Sequence, residues 1–155
     1  KRIPMIKVNV EINNKSWHTK IKSPKRYFNR KLRKISKIVK FFKHKNVTFT
    51  ILLTNSLNMK RLNKKFRKKN KSTDILSFPT FTRKNLKLAK DKKIYIGDLA
   101  ASYEIIDSRS KKNFLEEFDK VWIHGLLHLV GYNHIKNRDY LKMNEIEKKV
   151  LNSIS

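Results

Sequence analysis

The sequence predicts one α+β domain in which a small mixed β-sheet is covered by helices. Three observations lead to this prediction. The length of 155 residues is that of one ordinary domain, and we expect residues 1–155 to form it. Segments with the two-residue alternation of strands are interspersed with segments that repeat apolar residues every three or four positions, as helices do. No long repeat or low-complexity linker divides the sequence, so nothing indicates a second domain.

The first half of the chain alternates strand and helix patterns. Residues 5–12 place apolar side chains at every second position and predict a strand with one buried face. Ser23 and Pro24 are a typical cap residue and a favoured first helical residue, so we expect a basic amphipathic helix from there to about Phe42. Residues 47–54 are apolar and rich in β-branched side chains, as in a central strand.

A second helix is predicted to follow this strand. Asn55 or Ser56 can cap it, and apolar residues at helical spacing continue it to about Phe66. The helix ends in a basic run that extends from Lys64 to Lys71.

The second half of the chain predicts two further strands and two helices. Residues 74–79 and 94–102 have strand patterns, with a polar, lysine-rich loop between them. A helix with one buried face is expected between about Phe114 and Val130, and a last helix over about 138–151. The predicted order is therefore β, α, β, α, β, β, α, α.

The charge of the chain is strongly positive and unevenly distributed. Lys and Arg number 39 against 12 Asp and Glu, which gives a formal net charge of +27. From Ile12 to Thr73 there are 21 basic and no acidic residues, whereas eleven of the 12 acids lie between Asp74 and Glu147. Biased composition and solvated surface lysines account for part of this excess. The remainder favours a polyanionic partner, nucleic acid first, and suggests a binding half followed by a chemical half.

Composition also excludes several classes of protein. The chain has no cysteine, so it has neither a disulfide framework nor a thiolate metal site, and a reducing compartment is compatible with that. No apolar run approaches the roughly 18 to 20 residues of a membrane span, and the first residues lack the apolar core of a signal peptide. We therefore expect a cytoplasmic protein with no membrane partner.

Three histidines within residues 124–134, HGLLHLVGYNH, have the spacing of a helix-borne metal site. His124 and His128 are four residues apart and share one face of a helix. Gly131 can turn the chain sharply after the helix, so that His134 supplies a third imidazole. Three neutral imidazoles suit Zn²⁺ and leave its fourth position open, as catalytic zinc sites do. We expect one zinc ion per chain.

The residue after the first histidine is Gly125, where zinc proteases with this spacing carry a glutamate as general base. Glycine cannot perform that role, which counts against a peptidase. Three neutral ligands also leave the charge of the ion uncancelled, and this favours an anionic substrate such as a phosphodiester.

Three motifs stand out in the chain: TDILSFP at 73–79, IGDLAAS at 96–102 and HGLLHLVGYNH at 124–134. Together they resemble the motifs of the YbeY family, the bacterial endoribonucleases and rRNA maturation factors. The resemblance covers nearly the whole chain and implies that the three histidines bind zinc. It also implies a functional arginine shortly before TDILSFP, which Arg67 matches. The chain departs from the family at Asn133, where aspartate is usual.

The resemblance implies a zinc-dependent endoribonuclease that cleaves single-stranded rRNA, in maturation of the 16S rRNA 3′ end and in ribosome quality control. The small ribosomal subunit would be its partner. Arg67 would be catalytic and steady the scissile phosphate. The attacking group stays open between a water activated by the metal and the 2′-hydroxyl of the RNA. We expect four lysines of the basic run to bind the RNA: Lys64, Lys65, Lys68 and Lys69.

Two alternatives remain at the level of sequence. One is a non-catalytic factor that binds the ribosome or RNA and uses zinc only for structure, which a fourth protein ligand on the metal would favour. The other is a metal-dependent peptidase-like hydrolase, which a carboxylate beside the open metal position would favour.

Overall fold

A mixed β-sheet of four strands organises the computed structural model, which describes residues 5–88 and 93–155. The strands are β1 (Met5–Ile12), β2 (Asn46–Thr54), β3 (Ile75–Pro79) and β4 (Lys93–Ser102). Their order in the sheet is β1, β2, β4, β3. The first three are parallel, and β3 runs antiparallel to β4 at the edge. The predicted α+β class with a small mixed sheet is confirmed.

Helices cover both faces of this sheet. They are α1 (Pro24–Ile38), α2 (Ser56–Arg67), α3 (Arg83–Leu88), α4 (Tyr103–Arg109), α5 (Phe114–Leu129) and α6 (Asn137–Ile154). Helices α1 and α5 pack on one face, α6 packs against both of them, and α2 covers part of the opposite face. None of the helices in the described ranges combines the length and hydropathy that crossing a membrane requires.

The period of two along each strand decides which side chains meet which helix. In β2, Ile51 and Leu53 point into the main core with α1 and α5, while Leu52 between them packs in the small cluster beneath α2. Aromatic rings fill the main core, and Trp17 and Trp122 are both fully buried. Strands with one face toward each helical layer therefore hold α5 in a fixed position on the sheet.

The first strand has the predicted bounds, but the first helix is shorter than predicted. Helix α1 ends at Ile38 because Val39 takes an extended conformation, and a short 3-10 turn then buries Phe42. Ser23 precedes α1 without a hydrogen bond from its side chain, so the predicted side-chain cap is absent. At α2, by contrast, Asn55 caps the helix by accepting from the Asn58 N–H at 2.9 Å.

Two short helices were not predicted. Helix α3 lies in the segment expected to be a loop between β3 and β4, of which residues 89–92 are outside the described ranges. Helix α4 follows β4 directly. It is seven residues long and buries only Ile106, so it presents too few apolar positions to show a helical period.

Candidate metal centre

Helix α5 carries the first two histidines, His124 and His128. Asn113 starts the helix by accepting from the backbone N–H groups of Leu115 and Glu116. His124 and His128 are both half-buried, and their ring centroids are 4.6 Å apart. The four-residue spacing therefore places two imidazoles side by side, as predicted.

The turn after α5 brings in the third histidine. Gly131 adopts a φ of 95°, which residues other than glycine rarely adopt. The Tyr132 N–H then donates a hydrogen bond back to the Leu127 carbonyl at 3.0 Å. The exposed His134 ring then lies 5.6 Å from the His124 ring and 5.2 Å from the His128 ring. One ligand atom from each histidine lies within 4.8 Å of the others, so the cluster could hold a metal ion.

Hydrogen bonds to the Nδ1 atoms of His124 and His128 orient the Nε2 atoms of both rings toward the cluster. His124 Nδ1 is 2.6 Å from Glu147 Oε1, and His128 Nδ1 is 2.8 Å from the Tyr132 carbonyl oxygen. Both oxygens only accept, so each neutral ring donates from Nδ1 and keeps a free lone pair on Nε2. The two Nε2 atoms face each other at 3.0 Å.

This donor set fits a zinc ion. Two facing lone pairs repel each other unless a cation lies between them. Tetrahedral zinc with bonds of about 2.0 to 2.1 Å would separate its ligand nitrogens by about 3.3 Å, close to the spacing here. Burial lowers the pKa of His128, and His124 beside it adds to this effect, so the ring is neutral at neutral pH and free to bind a cation.

Gly125 faces the sheet rather than the histidine cluster. A Cβ atom there would lie 3.0 Å from Leu99 Cδ2, 3.1 Å from Ile75 Cγ1 and 3.2 Å from Ser77 Oγ. The Ser77 hydroxyl also donates to the Gly125 carbonyl at 3.2 Å. A side chain at this position would enter the interface between α5 and the sheet, so the glycine has a packing explanation.

A groove of about 690 Å³ runs past the histidines, and several cations line it. The three histidines form part of its wall. Arg67, Lys69 and Lys71 contribute from the segment around the end of α2, and Arg83 contributes from α3. Arg83 also pairs with Asp139 at 3.5 Å. The groove thus combines the possible metal ligands with a surface suited to a polyanion.

Arg67 is fixed at the edge of β3, within this groove. Its guanidinium donates a hydrogen bond to the Ser77 carbonyl and lies over the Phe78 ring, with Cζ 5.6 Å from the ring centroid. These contacts restrain the plane of the guanidinium while the side chain remains exposed to solvent. The sequence placed Arg67 near the motif TDILSFP, and the structure brings it into the same groove as His124.

The four lysines expected to bind RNA are all exposed, but they differ in position. Only Lys69 lines the groove, whereas Lys64, Lys65 and Lys68 lie outside its lining. Lys68 takes a left-handed conformation, with φ 57°, that ends α2. The side-chain amide of the buried Asn63 donates to the Lys71 carbonyl at 2.9 Å. This hydrogen bond ties the segment that carries Lys69 and Lys71 to helix α2.

Sequence reasoning missed three residues around the centre: Lys71, Arg83 and Glu147. Lys71 belongs to the predicted basic run but was not distinguished within it. Arg83 and Glu147 are brought in by α3 and α6, and no motif marked either of them. Asn133, where the family usually has aspartate, also lines the groove, and its side-chain oxygen accepts from the Ile135 N–H at 3.3 Å. Either residue type can make that turn contact.

The chain is similar to proteins of one known family. The sequence model of one family, described as "Endoribonuclease YbeY", matches residues 11–155. A relative from Pelagibacter ubique named "Endoribonuclease YbeY" is 44% identical over 142 residues, which are 90% of each chain. One of the same name from Bartonella henselae is 30% identical and covers 97% of this chain and 94% of its own length.

A solved structure also resembles the fold. The solution structure of TM1509 from Thermotoga maritima superposes with a TM-score of 0.63 at 25% identity, over 97% of this chain and 89% of the other. The family match extends through the end of α2, β3, α5 and the histidine turn, which contribute residues to the groove. The chain belongs to the YbeY endoribonuclease family.

Proposed function

We propose that this protein is a zinc-dependent endoribonuclease that cleaves single-stranded rRNA. The observation that carries the proposal is that three convergent imidazoles and a restrained arginine line one basic groove. The relatives named as endoribonucleases support an RNA substrate. The proposed role is maturation of the 16S rRNA 3′ end and ribosome quality control, with the small ribosomal subunit as partner and the cytoplasm as location.

His124, His128 and His134 would hold one zinc ion, with the Nε2 atoms of the first two already directed toward a common point. When bound, zinc would supply a Lewis acid that activates water or polarises a phosphate oxygen. The lowered pKa of His128 favours this role because a neutral ring needs to release no proton before it coordinates.

Arg67 would bind the scissile phosphate. One N–H of its guanidinium is engaged by the Ser77 carbonyl, and the others remain available to phosphate oxygens. The contact with the Phe78 ring restrains the guanidinium, so it would lose less conformational entropy on binding than a mobile lysine. Lys69, Lys71 and Arg83 would attract the flanking phosphates.

The two alternatives make different demands on the site. A purely structural zinc would be closed by a fourth protein ligand. Within the described residues the ligand cluster contains three histidines, and it borders an open groove. A peptidase would need a carboxylate at the open metal position. Glu147 contacts the outer edge of the His124 ring, and Gly125 faces the sheet.

Removal of one ligand tests the metal centre. His128→Ala should abolish stoichiometric zinc and leave the fold largely intact, because the ring is half-buried at the surface of α5. Metal content is measured on protein purified without added ions, together with the circular dichroism spectrum. His18→Ala, at an exposed histidine remote in sequence, is the matched control. A full equivalent of zinc in His128→Ala would refute the ligand assignment.

A comparison of two cations in the groove tests catalysis against binding. If Arg67 stabilises charge on the phosphate in the transition state, Arg67→Ala should lower the single-turnover cleavage rate much more than RNA affinity. Lys69 lines the same groove, and Lys69→Ala should mainly weaken RNA binding. Arg67→Lys should stay impaired at saturating RNA, because it keeps the charge and loses the two-pronged geometry.

The measurements are single-turnover cleavage and equilibrium binding of a single-stranded RNA. If Arg67→Ala and Lys69→Ala lose affinity and rate to the same extent, Arg67 belongs to the general basic surface. The non-catalytic binding factor would then be the better description.

A further inference from the structure

Glu147 reaches the metal centre from a helix that carries no proposed ligand. Its Oε1 lies 2.6 Å from Nδ1 of His124, and the carboxylate side chain is 22% exposed. Glu147 lies one turn after Met143 and one turn before Val150, and both of these are buried in the core. The packing of α6 thus anchors the helix on either side of Glu147.

This contact determines which nitrogen of His124 is free. A carboxylate only accepts hydrogen bonds, so it stabilises the neutral ring with its proton on Nδ1 and the lone pair on Nε2. That lone pair points toward Nε2 of His128. The opposite tautomer would break the bond to Glu147 and direct an N–H into the cluster, where it would repel a cation.

The two helical histidines differ in what orients them. His128 is held by the Tyr132 backbone carbonyl, which belongs to the same turn and does not depend on any side chain. His124 is held by a side chain 23 positions along the chain. The two hydrogen-bond acceptors also differ in charge, because the Glu147 carboxylate is negative and the Tyr132 carbonyl is neutral. The carboxylate makes the His124 ring a stronger electron donor to a metal ion.

We propose that Glu147 is a positioning residue of the metal centre, which selects the metal-binding tautomer and orientation of His124 and thereby raises zinc affinity. The inference rests on the zinc centre of the proposed function but not on RNA cleavage. Outer carboxylates on ligating histidines typically change metal affinity by about 10- to 100-fold, and we expect a change in this range.

The test compares Glu147→Gln with Glu145→Gln. Both remove one negative charge from α6, but Glu145 is exposed and two residues away, so it faces a different side of the helix. Zinc affinity is measured by competition with a chromophoric chelator at pH 8. Glu147→Gln should bind zinc about 10- to 100-fold more weakly than wild type, and Glu145→Gln should differ from wild type by less than about 3-fold.

A second readout needs no metal. Long-range ¹H–¹⁵N spectra of the zinc-free protein distinguish the two neutral tautomers of a histidine. Wild type and Glu145→Gln should carry the His124 proton on Nδ1. Glu147→Gln should shift the population toward Nε2–H, because an amide can donate to Nδ1 as well as accept from it. A general loss of stability would not change the tautomer in this way, and thermal unfolding of the zinc-free variants checks for such a loss.

The outcomes separate this inference from the function on which it rests. Unchanged zinc affinity and an unchanged tautomer in Glu147→Gln would overturn the positioning role. Equal loss in the two variants would overturn it too, because net charge would then explain the effect. If wild type binds zinc but cleaves no RNA, the nuclease function fails and the role of Glu147 still stands on affinity and tautomer. Wild type without zinc affinity would refute both.

Discussion

Single residues around the histidines show how one position can satisfy packing and chemistry at once. Gly125 in the sequence marks the absence of a protease base, and in the structure it marks the close approach of α5 to the sheet. His124 lines the groove, whereas Gly125 packs against side chains of β3 and β4.

Gly125→Glu should therefore unfold the protein more easily instead of converting it into a peptidase. The side chain would enter the space occupied by Leu99, Ile75 and Ser77 and bury a charge without a partner. We expect a loss of about 3 to 5 kcal/mol in the free energy of unfolding, measured by urea denaturation. Gly125→Ala should lose less, because a gain of about 1 kcal/mol in helix propensity offsets part of the overpacking. A wild-type stability for Gly125→Glu would show that the position is not packed as described.

The residues of the centre differ in how far the sequence could reveal them. The histidine spacing is local and follows from helix geometry, so the convergence of His124, His128 and His134 could be predicted without a structure. Glu147 could not, because its contact depends on how α6 packs against α5. For Arg67, only the family resemblance distinguished it from the neighbouring lysines.

At the scale of helices and strands, a buried polar cluster joins the histidine-bearing helix to α1. Asp119 of α5 forms an ion pair with Lys31 at 2.5 Å and accepts from the Trp122 indole N–H at 2.9 Å. The Tyr27 hydroxyl donates to the same carboxylate at 2.5 Å. Burial, reinforced by Asp119, raises the pKa of Tyr27 far above its ordinary value, so the hydroxyl keeps its proton.

Asp119→Ala should destabilise the fold strongly because it leaves the buried Lys31 ammonium without a partner. The expected loss in the free energy of unfolding is about 3 to 5 kcal/mol by urea denaturation. Glu116→Ala, at an exposed acid in the first turn of the same helix, should lose less than about 1 kcal/mol. Adding Lys31→Met to Asp119→Ala should recover part of the loss. If it recovers none, the unpaired charge is not the cause.

The same scale shows what periodicity can and cannot predict. Long elements that bury a whole face, such as β2 and α5, were found with bounds close to those observed. The end of α1 was not, because apolar Val39 and Phe42 continue the helical spacing even though the chain leaves the helix to bury them. Helices α3 and α4 are six and seven residues long, which is too short to show a helical period in the sequence.

For the whole molecule, the excess of positive charge exceeds what the groove alone displays. The acid-free part of the sequence includes α1, whose exposed face carries many cations far along the chain from the histidine turn. Only a few cations line the groove. The predicted division into a binding half and a chemical half is therefore incomplete, because the groove takes cations from both halves, Arg67 from one and Arg83 from the other.

Salt dependence can separate these two groups of cations. Each phosphate neutralised on a single strand contributes about 0.7 to the slope of log K against log salt. The double variant Lys69→Ala/Lys71→Ala should reduce the slope for RNA binding by about 1.4, because both residues line the groove. Lys25→Ala/Lys37→Ala, on the exposed face of α1, should leave it nearly unchanged. Equal reductions would mean that RNA is held by diffuse charge, and a flat slope in wild type would exclude an electrostatic groove.

Ser77 connects two parts of the groove that are far apart along the chain. Its carbonyl accepts from Arg67, and its hydroxyl donates to the carbonyl of Gly125, the neighbour of His124. The distance between the Arg67 guanidinium and the His124 imidazole is therefore set through two hydrogen bonds of one residue, Ser77. Insertions or movements in the loops between these segments need not change that distance. The chain can vary the length of its connections and still keep its arginine and histidines in register.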